Sequence, residues 1–301
     1  MQCRDFFCKL VVSIKMMQMA LPFASGSKGK SHIADVGWEW GLYTIPLLHL
    51  ALIMNTISKS NKNFLRKIIN ISGKAINTHK MVEADDKILI AVSGGKDSLA
   101  LIDILAERRK FLPIHYELHA IHIITDDVPY EIDKAYLTAF CEERDVTLHL
   151  ITTHAGIEEK SNKKPCFTCS WNRRKELFDF ALKNGFKKIA LGHHLDDAIE
   201  TLMMNMVMHA NISSIPPTLQ MFNGKLLLIR PLIYATNAEM TQYAEIKQFT
   251  SLKKECPYED HTSRNTARQW INQFEKLNPQ ARSNLFKSMS NIDQEYLPNE
   301  K

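Results

Sequence analysis

The stretch that decides the fold is Ile88-Leu89-Ile90-Ala91-Val92-Ser93-Gly94-Gly95-Lys96-Asp97-Ser98. It joins an apolar run to a helical pattern that begins at Leu99, so we expect a buried strand, a glycine turn and a helix. Paired glycines between a strand and a helix leave backbone N–H groups and the positive end of the helix dipole at one point, where phosphate oxygens bind. Lys96 adds a mobile positive charge, and Ser93 and Ser98 add hydroxyl donors. The stretch therefore predicts a phosphate-binding loop.

The spacing of these glycines differs from the Walker A loop, which has four residues between its first glycine and the Gly-Lys pair. Here the glycines are adjacent and Asp97 follows Lys96. The loop resembles the PP-loop of the adenosine-nucleotide alpha hydrolases, which hold the pyrophosphate of ATP and cleave between its alpha and beta phosphates. The alternative is a purely structural glycine turn. The ATP-binding residues that the resemblance implies are Ser93, Gly94, Gly95, Lys96, Asp97 and Ser98.

The overall composition is that of an ordinary globular protein. The chain has 301 residues, of which 45% are hydrophobic and 24% charged, with a formal net charge of +5. This charge is too small to indicate a polyanion partner, so a nucleic-acid surface must be a local patch. Six cysteines without regular spacing argue against a secreted disulfide scaffold and favour a reducing cytoplasm. They are Cys3, Cys8, Cys141, Cys166, Cys169 and Cys256.

Residues 1–58 differ from the rest of the chain and form an atypical leader. Two apolar stretches occur in it, at 10–24 and 36–54, and they contain Lys15 and Glu39 respectively. Because charged side chains are costly in hydrocarbon, we expect neither a membrane span nor a signal peptide here. The leader is expected to be unstructured, or absent from a native product that starts at Met54.

After the leader, short apolar strands alternate with helical patterns. An amphipathic helix over 61–81, weakened by Gly73, comes first and is expected to pack beside the first strand. The alternation predicts an α/β fold of Rossmann type, a doubly wound and mostly parallel sheet covered on both faces. Asn223-Gly224 predicts a hairpin that adds antiparallel strands at the sheet edge. The predicted strands are 87–92, 116–124, 147–152 and 188–191, and the predicted helices are 99–110, 131–144, 170–183 and 196–209.

The expected organisation has three parts. A PP-loop ATPase domain at 59–235, with a Cys-x-x-Cys insertion, follows the leader, and a helical C-terminal extension at 236–301 carries the last cysteine. Ligands of such sheets bind beyond the carboxyl ends of the strands. The glycine loop and the two motifs described next all follow predicted strands, so we expect them to share one crevice.

The second motif, Gly192-His193-His194-Leu195-Asp196-Asp197, follows the fourth predicted strand. Adjacent carboxylates near a polyphosphate commonly serve Mg²⁺, which prefers oxygen ligands and offsets phosphate charge. The alternative is an acidic first helical turn that only complements the helix dipole. The predicted magnesium ligands are Asp97, Asp196 and Asp197, which with Lys96 are also the predicted catalytic residues, and Gly192 joins the ATP site.

The third motif is Cys166-Phe167-Thr168-Cys169, just before a predicted helix. Two thiols at this spacing fit half of a zinc site, a redox pair or part of an iron–sulfur site, and the helix N-terminus favours their thiolates in each case. Cys256 supplies a third sulfur only if the fold brings it back. His261 follows it closely, so a closed zinc site of three cysteines and one histidine is a rival. Cys141, within a helix, is expected to be structural.

Several motifs in register make the resemblance specific. Besides the three motifs above, the chain carries Asn172-Arg173-Arg174, Ile215-Pro216-Pro217, Ile229-Arg230-Pro231-Leu232 and the late Cys256. This order resembles that of the tRNA 2-thiocytidine synthetase (TtcA) family, from about residue 61 to the C-terminus. One departure is Glu200, which stands where some members have Gln and brings the run closer to that of the lysidine synthetases.

The resemblance implies a tRNA sulfurtransferase. Such an enzyme uses ATP and Mg²⁺ to adenylate the C2 oxygen of an anticodon-loop cytidine and then replaces that oxygen with sulfur. By the same resemblance, Cys166, Cys169 and Cys256 hold a [4Fe-4S] cluster in which one iron lacks a protein ligand and carries the incoming sulfur. The implied partners are tRNA and a sulfur donor such as a cysteine desulfurase, in the cytoplasm and away from membranes, and a homodimer is compatible with the sequence.

Basic residues near the cysteine segments predict the RNA contacts. A cytidine in a loop is splayed out at modest cost, and positive side chains hold the flanking phosphates. The alternative is a solvated helix face, but the position beside both cysteine segments favours a role for the group. The residues are Lys163, Lys164, Arg173, Arg174, Lys254 and Arg268.

Three other functions remain as alternatives. The 2-thiouridine synthetases of the same superfamily typically carry extra Cys-x-x-Cys zinc pairs, for which six cysteines and one such pair leave no room. Lysidine synthetases also adenylate tRNA but need no cysteine trio. The non-enzyme alternative is a metal-containing RNA-binding protein with an inactive nucleotide site, and the intact Lys96 and Asp97 argue against it.

Overall fold

The computed structural model describes residues 41–126, 133–154, 156, 165–250 and 263–297, with the backbone alone at 41–57, 165–167 and 263. Contacts divide the chain into two units, Met1–Met54 and Asn55–Lys301. The described part of the first unit is helical. Within the described ranges, no helix has an apolar run long enough to cross a membrane.

The second unit alternates strands and helices in the order that the sequence predicts. The first helix begins at Gly41, well before the predicted start at 61. Between Pro46, in its second turn, and Gly73 no glycine or proline interrupts it. The elements are α1 (Gly41–Thr78), β1 (Asp86–Ala91), α2 (Lys96–Arg109), β2 (Tyr116–Thr125), α3 (Lys134–Glu142), β3 (Thr147–Thr153), α4 (Pro165–Lys183), β4 (Lys188–Ala190), α5 (Leu195–His209), β5 (Thr218–Met221), β6 (Leu226–Ile229), α6 (Asn237–Lys247), α7 (Ser263–Leu277), α8 (Ala281–Ser288) and a 3₁₀ turn (Gln294–Tyr296).

The six strands form one sheet in the order β3-β2-β1-β4-β6-β5. All neighbouring pairs are parallel except β5 and β6, which are antiparallel. The β5–β6 turn contains the predicted Asn223-Gly224 pair, and both residues have positive φ. The predicted mostly parallel sheet with an antiparallel hairpin at its edge is therefore confirmed.

Both faces of the sheet are covered, which explains the continuous apolar run of β1. Ile88 and Ile90 point into the core cluster that also holds Ile68 of α1, and Leu89 points into the cluster on the opposite face, with Leu177 of α4. Successive side chains of a strand point to opposite faces, so a strand buried on both sides is apolar at every position. The predicted packing of the first helix beside β1 is confirmed.

The strand order places a switch point next to β1. The chain runs outward from β1 to β2 and β3 on one side, and then returns to add β4 on the other side of β1. Loops that leave the carboxyl ends of β1 and β4 consequently diverge, and they leave a crevice between them, which is where open α/β sheets bind ligands. The glycine loop follows β1, and the Gly192 motif follows β4.

Candidate functional site

The glycine loop forms the turn between β1 and α2. Gly94 has a φ of +80°, a conformation that glycine adopts without strain. The Ser98 hydroxyl donates to the Gly95 carbonyl oxygen at 2.8 Å, and the Gly95 amide donates to Ser93 Oγ at 3.3 Å. These bonds hold the loop against the first turn of α2, whose leading N–H groups have no acceptor within the helix. The loop thus presents backbone donors and the positive end of α2 to an anion.

Gly192 lies directly against this loop. A Cβ at position 192 would lie 3.2 Å from the Asp97 carbonyl carbon and oxygen and from the Ser98 amide nitrogen. Backbone atoms cannot swing aside as the end of a long side chain can, so glycine is the residue that lets the two segments approach. The pairing of β1 with β4 brings the two motifs together, as the sequence predicts.

Lys96 is oriented by two oxygen atoms. Its Nζ donates to Asp97 Oδ1 at 2.7 Å and to Asn237 Oδ1 at 2.9 Å. Asn237 is the first residue of α6, and its backbone N–H donates to Asp196 Oδ2 at 2.6 Å. Asn237 therefore joins the glycine loop to the acidic turn, and the sequence analysis missed it. The available signal was a capping box around the start of α6, which marks a helix end beside Asn237.

Three carboxylates in the first half of α5 meet three arginines from the C-terminal helices. Asp196 and Glu200 are buried, so each needs a partner for its charge. The pairs are Asp196 with Arg282 of α8, Asp197 with Arg264 of α7 at 3.1 Å, and Glu200 with Arg268 of α7 at 2.8 Å. These contacts fix α7 and α8 to α5. Arg268, predicted as an RNA contact, binds the buried carboxylate of Glu200 in the structure, and its RNA contact stays a prediction.

The predicted magnesium ligands are already engaged by other groups. Asp97 accepts from Lys96, Asp196 from Arg282, and Asp197 from Arg264. The described ranges contain no group of three His, Cys, Asp or Glu side chains that could hold a metal ion. A cation at Asp196 or Asp197 would therefore share the carboxylate with an arginine. Their assignment as ligands stays a prediction.

His194 shapes the start of α5. Its Nδ1 accepts from the Asp197 amide at 3.4 Å, and Asp197 Oδ2 accepts from the His194 amide at 3.0 Å. This reciprocal pair is a capping box with histidine in the place of the usual serine or threonine. One oxygen of Asp197 thus caps the helix while the other binds Arg264.

His193 is neutral at physiological pH. Its pKa is lowered to about 4, mainly by burial and also by the positive charge of Arg230, while the negative charge of Asp197 opposes this shift. Arg230 Nε donates to His193 Nδ1 at 3.3 Å, so the neutral ring carries its proton on Nε2. Arg230 Nη1 also donates to the Pro216 carbonyl oxygen at 2.5 Å. The buried side chain of Arg230 therefore links its own motif to the motifs that contain His193 and Pro216.

Comparison with known proteins identifies the family. The PP-loop domain family matches residues 60–275. A tRNA-cytidine(32) 2-sulfurtransferase of Francisella tularensis subsp. novicida is 32% identical over 243 residues, which are 79% of this chain and 90% of the relative. The chain belongs to the PP-loop family of tRNA-cytidine(32) 2-sulfurtransferases. The resemblance inferred from the motifs is confirmed.

A second sulfurtransferase and one solved structure are also similar to the chain. The tRNA-cytidine(32) 2-sulfurtransferase of Pseudomonas putida is 29% identical over 79% of this chain and 88% of its own. A U34-tRNA thiolase, NcsA from Methanococcus maripaludis, solved with its [4Fe-4S] cluster, is 23% identical and superposes with a TM-score of 0.66 over 80% of this chain and 82% of its own. This likeness confirms the predicted fold.

The cysteines of this sulfurtransferase family member lie in different environments. Cys141 is buried in α3, and burial raises the pKa of its thiol to about 12, so the prediction of a structural cysteine is confirmed. The backbone places Cys166 and Cys169 in the first turns of α4. Cys256 falls outside the described residues, so its meeting with the other two stays a prediction.

Only part of the predicted RNA-binding set is described. Lys163, Lys164 and Lys254 lie outside the described residues. Arg173 and Arg174 follow Cys169 on α4, and Arg174 is exposed. Trp171, on the same helix, is 53% exposed. The sequence did not single it out, because a tryptophan in a helical pattern is as often a core residue as a surface residue. An exposed aromatic ring beside exposed cations on one helix is suited to contact an unpaired base.

Proposed function

We propose that this protein is an ATP-dependent tRNA sulfurtransferase that replaces the C2 oxygen of cytidine 32 with sulfur. The observation that carries the proposal is the glycine loop at the switch point of the sheet, with Gly192 against it and Lys96 oriented at its end. A strand, loop and helix of this kind receive the phosphates of a nucleotide. The relatives of the chain are named for the same reaction at cytidine 32 of tRNA.

The loop residues serve the first chemical step. The C2 carbonyl oxygen of cytosine is a poor leaving group, and transfer of AMP to it makes it a good one. Attack at the alpha phosphorus breaks the bond to pyrophosphate, on which negative charge develops. The N–H groups of Gly94 and Gly95 and the hydroxyls of Ser93 and Ser98 can receive this charge, and Lys96 adds a full positive charge.

The carboxylates of the crevice are neutralised by cations, so they do not repel a polyphosphate. Asp196, Asp197 and Glu200 would repel ATP, but the arginines of α7 and α8 neutralise them. Lys96 and Asp97 also form a pair, at the partly exposed mouth of the crevice. Mg²⁺ is usually held by one or two carboxylates together with substrate phosphates, and the partly exposed Asp97 fits this arrangement.

The cysteine set fits a [4Fe-4S] cluster. Thiolates are the ligands of such clusters, and the beginning of α4 favours the thiolate forms of Cys166 and Cys169. The cluster, when bound, would carry the incoming sulfur that replaces the activated oxygen. The contribution of the chain is to hold the thiolates of these two residues and of Cys256. The rival closed zinc site with His261 predicts colourless protein, whereas the cluster predicts brown protein with broad visible absorption after purification without oxygen.

The substrate cytidine is bound near α4 in this proposal. A loop base is already unstacked in part, so it enters a crevice at modest cost. Trp171 offers a face on which a neighbouring base stacks, and Arg174 offers a charge for a flanking phosphate. The sulfur comes from a donor such as a cysteine desulfurase, and the cytoplasm provides both tRNA and the reducing conditions that thiolates need.

Nucleoside mass spectrometry of tRNA tests the proposal. Cells that lack this protein should lose 2-thiocytidine, and the full chain should restore it, whereas a Lys96→Ala variant should not. Loss of 2-thiouridine or lysidine in place of 2-thiocytidine would assign the chain to another tRNA-modifying reaction. A Lys96→Ala variant that still restored 2-thiocytidine would contradict the role of the loop.

A further inference from the structure

A groove at the far end of α2 has the features of an anion-binding surface. It has a volume of about 530 Å³ and lies between the second half of α1, the end of α2 and the end of α6. Leu65 and Ile69 of α1 contribute its apolar lining. Since α2 has 14 residues, the groove is about 20 Å from the glycine loop, at the opposite end of the same helix. It is therefore a separate site from the ATP crevice.

The charge of the groove is strongly positive. The cations that line it are Lys62, Arg66, Arg108 and Lys247, and the acidic residue is Glu107, which binds Lys110 at 2.8 Å. Lys247 is bound to the buried Asp103 at 2.9 Å. Among the residues that the structure describes, none offers a carboxylate to Lys62, Arg66 or Arg108 within ion-pair distance. Three positive charges therefore face the groove without an anion.

The helix that forms one wall extends this positive surface. The sequence of α1 contains five lysines and arginines and no aspartate or glutamate. Lys59, Lys62 and Arg66 are three and four residues apart, so they share one face of the helix. All three are exposed. A row of this kind binds a polyanion along its length, whereas a small anion would use one or two of the charges.

Arg108 is the least compensated of these cations. Its Nη1 donates to the Ile69 carbonyl oxygen at 3.3 Å, but its buried Nε has no hydrogen-bond partner among the described residues. A Cβ at Gly73 would lie 2.1 Å from Arg108 Nη1, so the glycine in α1 makes the space that this guanidinium occupies. Burial lowers the pKa of Arg108, because the charged guanidinium is partly removed from water.

We propose that this groove binds the sugar–phosphate backbone of the tRNA substrate away from the reacting loop. Phe111, at the rim, is 78% exposed and provides a surface for an unpaired base, a feature that a purely phosphate-binding site does not need. The distance from the ATP crevice is within the reach of one tRNA arm. The proposal rests on the proposed function, because tRNA is the polyanion which that function supplies.

The test compares two charge-matched double variants of the full chain. Lys62→Gln with Arg66→Gln removes two exposed cations of the groove, and Lys187→Gln with Lys225→Gln removes two exposed cations outside both the groove and α1. Affinity for tRNA is measured by fluorescence anisotropy over a range of salt concentrations. The groove variant should bind tRNA about tenfold more weakly, and its plot of log affinity against log salt should be less steep by about two. The control variant should change much less.

A third variant separates stacking from charge. Phe111→Ala should lower the affinity for tRNA about fivefold with no change in the salt dependence. ATP binding should be unchanged in all these variants, because the groove lies far from the loop.

Two results would overturn the proposal. One is tRNA binding that is unaffected in the groove variant, in which case the groove serves an acidic protein segment or a small anion. The other is an equal loss in the groove and control variants, which would indicate only a general effect of net charge. If the wild-type protein forms 2-thiocytidine, either result rejects the proposed role of the groove but not the proposed function. Failure of the wild-type protein to bind tRNA at all rejects the proposed function.

Discussion

Removal of Arg268 should loosen the attachment of the C-terminal helices to α5 and leave the sheet intact. The side chain of Glu200 is 1% exposed, and its Oε1 accepts from Arg268 Nε at 2.8 Å. Its Oε2 has no hydrogen-bond partner in the described structure, and Arg264 Nε is 3.8 Å away. The hydrogen bond to Glu200 raises the pKa of Arg268, which agrees with a strong pair. Arg268→Ala therefore leaves a buried carboxylate with a single, more distant cation.

The size of the effect follows from burial. Loss of one member of a buried ion pair costs about 3–5 kcal/mol. Because Arg268 is 48% exposed and Arg264 stays near, we expect about 3 kcal/mol for Arg268→Ala. Glu200→Gln removes the charge and keeps an acceptor, and we expect it to cost about 1 kcal/mol. The double variant has no unpaired charge, so it should cost less than Arg268→Ala alone, with a coupling free energy of about 2 kcal/mol.

The assay is hydrogen exchange of the α7 and α8 amides, combined with urea unfolding of the four proteins of the cycle. A loss of 3 kcal/mol corresponds to about a hundredfold faster exchange in α7, while the amides of β1 and β2 should be unchanged. Lys276→Ala, an exposed cation in the last turn of the same helix, is the control. Additive effects of the two substitutions, or unchanged exchange in α7, would show that the pair does not hold these helices.

Three further outcomes follow from the site. Gly192→Ala should raise the Kd for ATP at least tenfold in calorimetry, because its Cβ would lie 3.2 Å from the backbone of Asp97, while the thermal unfolding temperature should change little. The pKa of His193 is about 4 in the folded protein and 6.5 in the unfolded chain, so the free energy of unfolding should fall as the pH drops from 6.5 to 4. His193→Gln should make this fall smaller. Equal pH dependence of stability in the wild type and the variant would contradict the burial of a neutral ring. Trp171→Ala should weaken tRNA binding about fivefold or more at unchanged ATP affinity, and unaltered tRNA binding would remove this residue from the RNA surface.

Local signals were sufficient for the elements and for the loop. A five-residue apolar run followed by Ser93-Gly94-Gly95 specifies a buried strand and a turn, since side-chain period and glycine backbone freedom act over a few residues. The same reasoning found the β5–β6 hairpin from Asn223-Gly224. The start of α1 was placed too late, because the amphipathic spacing that marks the helix begins only near residue 61, although no glycine or proline stands between Pro46 and that point.

The partners of the charged residues could not be found in this way. Lys96 and Asn237 are 141 residues apart, and Glu200 and Arg268 are 68 residues apart. Which arginine meets which carboxylate depends on how α6, α7 and α8 pack, and no local pattern records that packing. Arg268 was therefore predicted to contact RNA because it is positively charged and close to Cys256 in the sequence.

The sequence by itself determined the order of strands and helices, the phosphate-binding loop and the family, because these depend on side-chain period, glycine conformation and motif order. Only the tertiary structure decided that Asn237 joins the loop to Asp196 and that arginines bind two of the predicted magnesium ligands, Asp196 and Asp197. Gly73, which in the sequence only weakens a helix, proved to make the space for Arg108. The physical reason is the same in each case: a charge or a missing side chain is visible in one residue, but its effect depends on a partner that packing brings from elsewhere in the chain.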